Sequence, residues 1–103
     1  MIHHVVMFKF KPDVQDSEIE EFAKDIDALP DKIVEIQALE SGLNIFRSER
    51  SYDFALISVF ANMEALQRYQ NHPDHLLVIS KVKEMCSKVG AVDFETEHPK
   101  ATE

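Results

Sequence analysis

The stretch from Tyr52 to Phe60 puts Phe54, Leu56, Ser58 and Phe60 on one side of an extended chain and Ala55, Ile57 and Val59 on the other. A strand that is apolar on both sides has to be covered on both sides. The opening stretch from Ile2 to Phe10 has the same property, with Ile2, His4, Val6, Phe8 and Phe10 facing one way and His3, Val5, Met7 and Lys9 the other. In a chain of 103 residues, the size of one domain, this requirement narrows the folds considerably.

Between these strands the periodicity changes. Ser17-Glu18-Ile19-Glu20 has capping-box spacing, and Ile19, Phe22, Ala23, Ile26 and Leu29 follow as an apolar helical stripe that Pro30-Asp31 is expected to stop. From Lys32 to Phe46 the chain reads as mainly extended, with Gly42 marking a bulge or bend. Asn62 suits the N-cap of a short helix carrying Met63, Leu66 and Tyr69. Pro73 suits the first turn of another helix, which carries Leu76, Ile79, Val82 and Cys86 to about Lys88. Val89 to Glu95 is the last strand. One domain is expected over 1–97, with a C-terminal tail at 98–103. The order is strand, helix, strand, strand, helix, strand, that of an α+β ferredoxin-like antiparallel sheet with helices on one face. Such helices leave the second sheet face bare, and a large bare apolar face is rarely tolerated by a monomer. A second copy packed sheet against sheet covers it, so a homodimer is expected.

Composition excludes several classes of partner. A net charge of −8 supplies no basic footprint for nucleic acid or an anionic membrane surface. No segment has the run of about eighteen apolar residues that a membrane span needs, and no signal peptide is visible. The single cysteine, Cys86, rules out an intrachain disulfide framework and fits a reducing cytoplasm, and it reads as a small core filler. With two glycines there is no glycine-rich phosphate loop. Asp93 and Glu95, near the chain end, read as surface charges.

Chemistry is concentrated in Tyr69-Gln70-Asn71-His72-Pro73-Asp74-His75. A helix end followed by a proline-started turn can aim Tyr69 and His75 at one space. There imidazole can accept a proton near neutral pH and phenol can hydrogen-bond a developing oxyanion. His4, on the first strand, can reach the same place. The plain alternative is a core tyrosine, a helix-capping His72 and a His75 bonded to a backbone carbonyl. A metal site built on His72, Asp74 and His75 lacks a clear fourth ligand, and none is expected.

The segments His4-Val5-Val6-Met7-Phe8-Lys9-Phe10-Lys11, Gly42, Phe54 to Phe60, Tyr69…His72-Pro73-Asp74-His75 and Val92-Asp93-Phe94 together resemble the stress-responsive dimeric A/B-barrel (Dabb) family. The resemblance runs from about Ile2 to Glu97. It implies a ferredoxin-like protomer whose sheet joins a partner's across a dimer axis to form an α/β barrel. The family includes plant stress and antifungal proteins, bacterial members of unknown role, and olivetolic acid cyclase, which uses a tyrosine and a histidine as an acid–base pair. Aligned by motif, that pair falls on Tyr69 and His75, and a pocket histidine falls on His4. Ile26 stands where the cyclase has a further pocket tyrosine, which argues against polyketide cyclisation itself.

The leading expectation is a dimeric protein holding a small, largely apolar molecule between sheet and helices. His4, Phe8, Phe22, Ile26 and His72 would surround it, and no cofactor would be needed. As a cofactor-independent enzyme of cyclase or lyase type, it would use His75 as base and Tyr69 as oxyanion donor. A non-catalytic stress-associated dimer is the alternative. A cofactor-free monooxygenase ranks behind both, because there is no tryptophan and no clear motif. A cavity of about 300 Å³ or more would mark a ligand site. Filled space, with Tyr69 and His75 satisfied by backbone, would mark a structural motif.

Overall fold

Alternation along Ile2–Phe10 becomes a strand, β1, in the computed structural model, which describes residues 1–97. Its odd and even side chains divide as the sequence implies, with Ile2, His4, Val6, Phe8 and Phe10 buried. The tail expected at 98–103 lies outside the described residues.

The first helix, α1 (Asp16–Lys32), buries Ile19, Phe22, Ile26 and Leu29. It begins before the expected cap. Gln15 is the N-cap, and its backbone N–H donates to the Glu18 carboxylate at 2.9 Å. The phase is set by apolar flanks: Val14, just outside the helix, packs on the core, and Ile19 one turn in is buried, the arrangement of a hydrophobic staple. Pro30 does not stop the helix but lies inside its last turn. A proline there removes one hydrogen bond, and the turn still closes through Ile33 N–H to the Leu29 carbonyl at 2.9 Å.

Strand β2 is shorter than expected, Ala38–Leu43. The segment before it turns, with Ile33 and Ile36 buried and Val34 90% exposed, so it lacks strand alternation. Ile45 and Phe46 beyond it are exposed. Gly42 marks no bulge. The β2 register against β3 (Phe54–Phe60) is continuous from Ala38↔Val59 to Leu43↔Phe54, and open space surrounds the glycine. The irregularity falls instead between Lys9 and Phe10, where β1 pairs with β4 (Cys86–Glu95). Just before β3, the buried Asp53 carboxylate accepts the Phe10 N–H at 3.0 Å and faces Lys9 and Arg47 at 3.5 and 3.4 Å.

Helix α2 (Met63–Gln70) is capped by Asn62, whose side chain accepts the Ala65 N–H at 2.9 Å. Helix α3 (Pro73–Met85) ends before the expected Lys88, because Cys86 already pairs with Phe10 as the first residue of β4. Cys86 is half-buried, and burial, reinforced by the Asp53 charge, pushes its thiol up to about 11, so it stays protonated at neutral pH.

The strands form one antiparallel sheet in the order β2-β3-β1-β4, with the helices on one face. This is the ferredoxin-like arrangement. Beneath the helices Phe8, Phe10, Phe22 and Phe54 interlock, with ring centroids 5.4 to 6.2 Å apart. The other face stays open. On it Val5 lies between its partners Ile57 and Val92, and His3 stacks on Phe94 at 4.8 Å. Ile57, Val92 and Phe94 are 44, 57 and 48% exposed.

One core position runs against its surroundings. Ser58 is fully buried on the inner face of β3, opposite His4, and among the described residues its hydroxyl has no hydrogen-bond partner. An unpaired buried hydroxyl costs about 1–3 kcal/mol. Ser58→Ala is therefore expected to raise the unfolding free energy by about 1 kcal/mol or more in urea titrations. A lower midpoint would show that the hydroxyl is satisfied in solution.

Candidate functional site

The inner face of β1 and the end of α2 meet α3 around a half-open pocket of about 200 Å³. Its walls are mainly aliphatic, from Val6, Ile26, Leu56, Val78, Val82 and Ala91, with Phe8 beside them. Its polar groups are His4 from β1, Tyr69 and Gln70 from α2, and His75 from α3. The break at His72-Pro73 makes this possible, because it redirects the chain so that the His75 ring comes within 4.2 Å of the Tyr69 ring, centroid to centroid. His4 meets Tyr69 edge-on at 6.0 Å.

The three polar side chains are held differently. Tyr69 is 1% exposed and wedged against Phe60, and burial pushes its phenol up to about 12, so it stays neutral. Its hydroxyl bonds to no described residue. The half-buried His75 has Nδ1 on the Gln70 carbonyl at 3.2 Å, and its Nε2 has no partner among the described residues. The Nδ1 of His4 is hydrogen-bonded to the Asp93 carboxylate. Asp93 is exposed, as its reading as a surface charge expects, and it also anchors the His4 ring. The signal that finds it is the antiparallel β1–β4 register, which sets His4 opposite Asp93.

Burial holds His75 below the usual histidine range; the Gln70 carbonyl opposes this, while His4 and His72 add to it. The unfolded chain therefore binds this proton first, and stability from neutral His75 is complete above about pH 6.5 and is lost as pH falls through that value. Wild type should lose more stability than His75→Gln between about pH 7.5 and about pH 5.5 in paired urea titrations. Equal losses would contradict it.

Two expected lining residues lie elsewhere. Phe22 sits in the core 5.4 Å behind Phe8, because the α1 stripe points it at the aromatic cluster. His72 caps α3, accepting the Asp74 N–H at 3.1 Å, which draws its ring to the helix end rather than the cavity. Among the described residues no three histidine, cysteine or acidic side chains are grouped to hold a metal, and no helix is long and apolar enough to cross a membrane. A larger hollow of about 480 Å³ lies on the open sheet face around Met7, Glu40, Ala55 and Ile57, and among the described residues no histidine lines it.

Residues 2–96 match the Stress responsive A/B Barrel Domain, Dabb. The chain belongs to the Dabb family. A stress-response A/B barrel domain-containing protein of Arabidopsis thaliana is 31% identical over 97 residues, covering 91% of this chain and 36% of the plant protein. The Dabb chain thus spans about a third of that relative's length. An uncharacterised protein of Streptomyces coelicolor is 33% identical over 97 residues, covering 92% of this chain and 99% of the relative. Among solved structures, a dimeric protein of unknown function with a ferredoxin-like fold from Bacteroides fragilis superposes with a TM-score of 0.80 at 32% identity, covering 92% of this chain and 95% of its own. The Dabb match takes in each element that builds the cavity, from β1 to β4.

Proposed function

We propose that this Dabb chain is one half of a homodimer in which each protomer holds a small, neutral, largely apolar molecule between sheet and helices. The observation that carries the reading is Tyr69, which lines a mainly aliphatic cavity beside two imidazoles and whose hydroxyl has no partner among the described residues. At about 200 Å³ the cavity is smaller than the usual range for drug-sized ligands, which starts near about 300 Å³. Cavities of about 150 Å³ take up benzene, so a single ring or a short branched chain is the fitting size. Among the described residues neither lysine nor arginine lines the space, so an anionic ligand would lose its hydration without gaining a counter-charge.

The dimer is supported by the exposed apolar row on the open face and by the dimeric state of the Bacteroides fragilis relative. A cytoplasmic location suits the free Cys86 thiol, and the net charge of −8 suits neither nucleic acid nor an anionic membrane. The acid–base form of the reading has Tyr69 as hydrogen-bond donor to an oxyanion and an imidazole as base, with no cofactor. A structural role is favoured by one observation, the use of His72 and His75 to satisfy backbone groups.

Calorimetric titration with acetophenone and benzoate separates these readings. Acetophenone is expected to bind and benzoate is not, and Tyr69→Phe should weaken acetophenone by about 3- to 10-fold, the worth of one neutral hydrogen bond. Absence of binding by both compounds, or an unchanged Tyr69→Phe affinity, would support the structural role.

A further inference from the structure

We propose that His4, held by Asp93, and not His75, is the group in this cavity that accepts a proton from a carbon acid next to a carbonyl. The inference rests on the cavity being a ligand site and assigns the chemistry within it. His4 and Asp93 are cross-strand partners on the inner sheet face, where directly opposed side chains touch. An ionised carboxylate only accepts hydrogen bonds, so Nδ1 of His4 carries the proton and Nε2 presents its lone pair. Among the described residues Nε2 has no partner, and the ring lines the cavity.

The two histidines then differ in what lies behind them. When His4 takes a proton, a full negative charge stabilises the imidazolium. When His75 does, only the Gln70 carbonyl dipole is there. Charges on both rings would also oppose each other, since the two imidazoles face one cavity. Tyr69, within reach of both rings, supplies the hydroxyl for the oxyanion.

For a neutral ketone the step balances without a co-reactant. Nε2 of His4 takes an α-proton, and the C–H electron pair becomes the enolate C=C bond. The carbonyl π pair moves to oxygen, which accepts the Tyr69 hydrogen bond. Reversal returns a proton to carbon, and in D₂O the imidazolium exchanges with solvent so that deuterium is returned. Asp93 is a positioning residue, acting through the His4 tautomer.

Phenylacetone in D₂O is the probe, with loss of its methylene proton signal as the rate. Wild type is expected to exceed the buffer rate, and His4→Gln to lose roughly 10²-fold or more of the excess, a larger loss than His75→Gln causes. Asp93→Ala removes the acceptor from Nδ1 and lets the proton shift to Nε2. Its exchange should fall as in His4→Gln, the His4 ¹⁵N shifts should report the tautomer switch, and Asp93→Glu should restore part of the rate. Phenylacetone-induced shifts of the Ile26 and Val78 methyls report binding separately. If those methyls do not shift, the ligand-site reading falls and the assignment with it. If they shift while exchange depends on His75 alone, or never exceeds buffer, only the assignment is overturned.

Discussion

Phe22→Ala is expected to remove about 3–5 kcal/mol of stability, much of the margin of about 5–15 kcal/mol typical of a domain. Phe22 is 1% exposed and touches Phe8, Phe10 and Phe54 at ring-centroid distances of 5.4, 5.9 and 5.5 Å. Those three rings come from β1 and β3 and are fixed by the sheet, so they cannot close the space that an alanine leaves. Denaturant titration of both proteins measures the effect. A loss below about 1 kcal/mol would mean that α1 slides inwards to refill the gap.

The second large effect concerns assembly. Ile57→Asp combined with Val92→Asp is expected to convert the dimer to a folded monomer at micromolar concentration. Both side chains flank Val5 on the open sheet face and are about half exposed, so the charges cost the separate protomer little. In a sheet-to-sheet dimer the same carboxylates would lose their water without gaining a counter-ion, at several kcal/mol each. Sedimentation velocity reads the oligomeric state, and far-ultraviolet circular dichroism shows that the variant is folded. A variant that stays dimeric would move the interface off this face.

Which of these features the sequence reveals follows from the range of the forces involved. β1 and β3 are legible because a period of two with both faces apolar has few readings, and the bare second face follows from counting helices. Asn62 as a cap and Pro73 at the start of α3 are legible because capping is local chemistry. The start of α1 is misread because Glu18 and Glu20 both offer a capping carboxylate, and contact of Val14 with the core decides between them. Pro30 and Gly42 are misread because each has a default meaning that its surroundings cancel: a helix already ending, and an edge strand with room to spare.

The site is legible in the same uneven way. Tyr69, His75 and His4 do come together, since two of them flank a chain reversal and the third lies on the strand beneath. Phe22 and His72 do not line the cavity, because helix phase and a capping bond turn them elsewhere. Asp93 is invisible until the β1–β4 register is known, for its partner is separated from it by almost the whole chain. Asp53 is similar: a buried carboxylate at a strand entrance, made tolerable by Lys9, Arg47 and the Phe10 amide from distant positions.

The most direct test of the account is to locate a bound molecule. Isotope-filtered nuclear Overhauser spectra of the labelled protein with unlabelled acetophenone should give contacts to Tyr69, Ile26 and Val78, which line the cavity beneath the helices. Contacts confined to Met7, Ala55 and Ile57 on the open face, or none at millimolar ligand, would contradict the proposal that this cavity is the functional site.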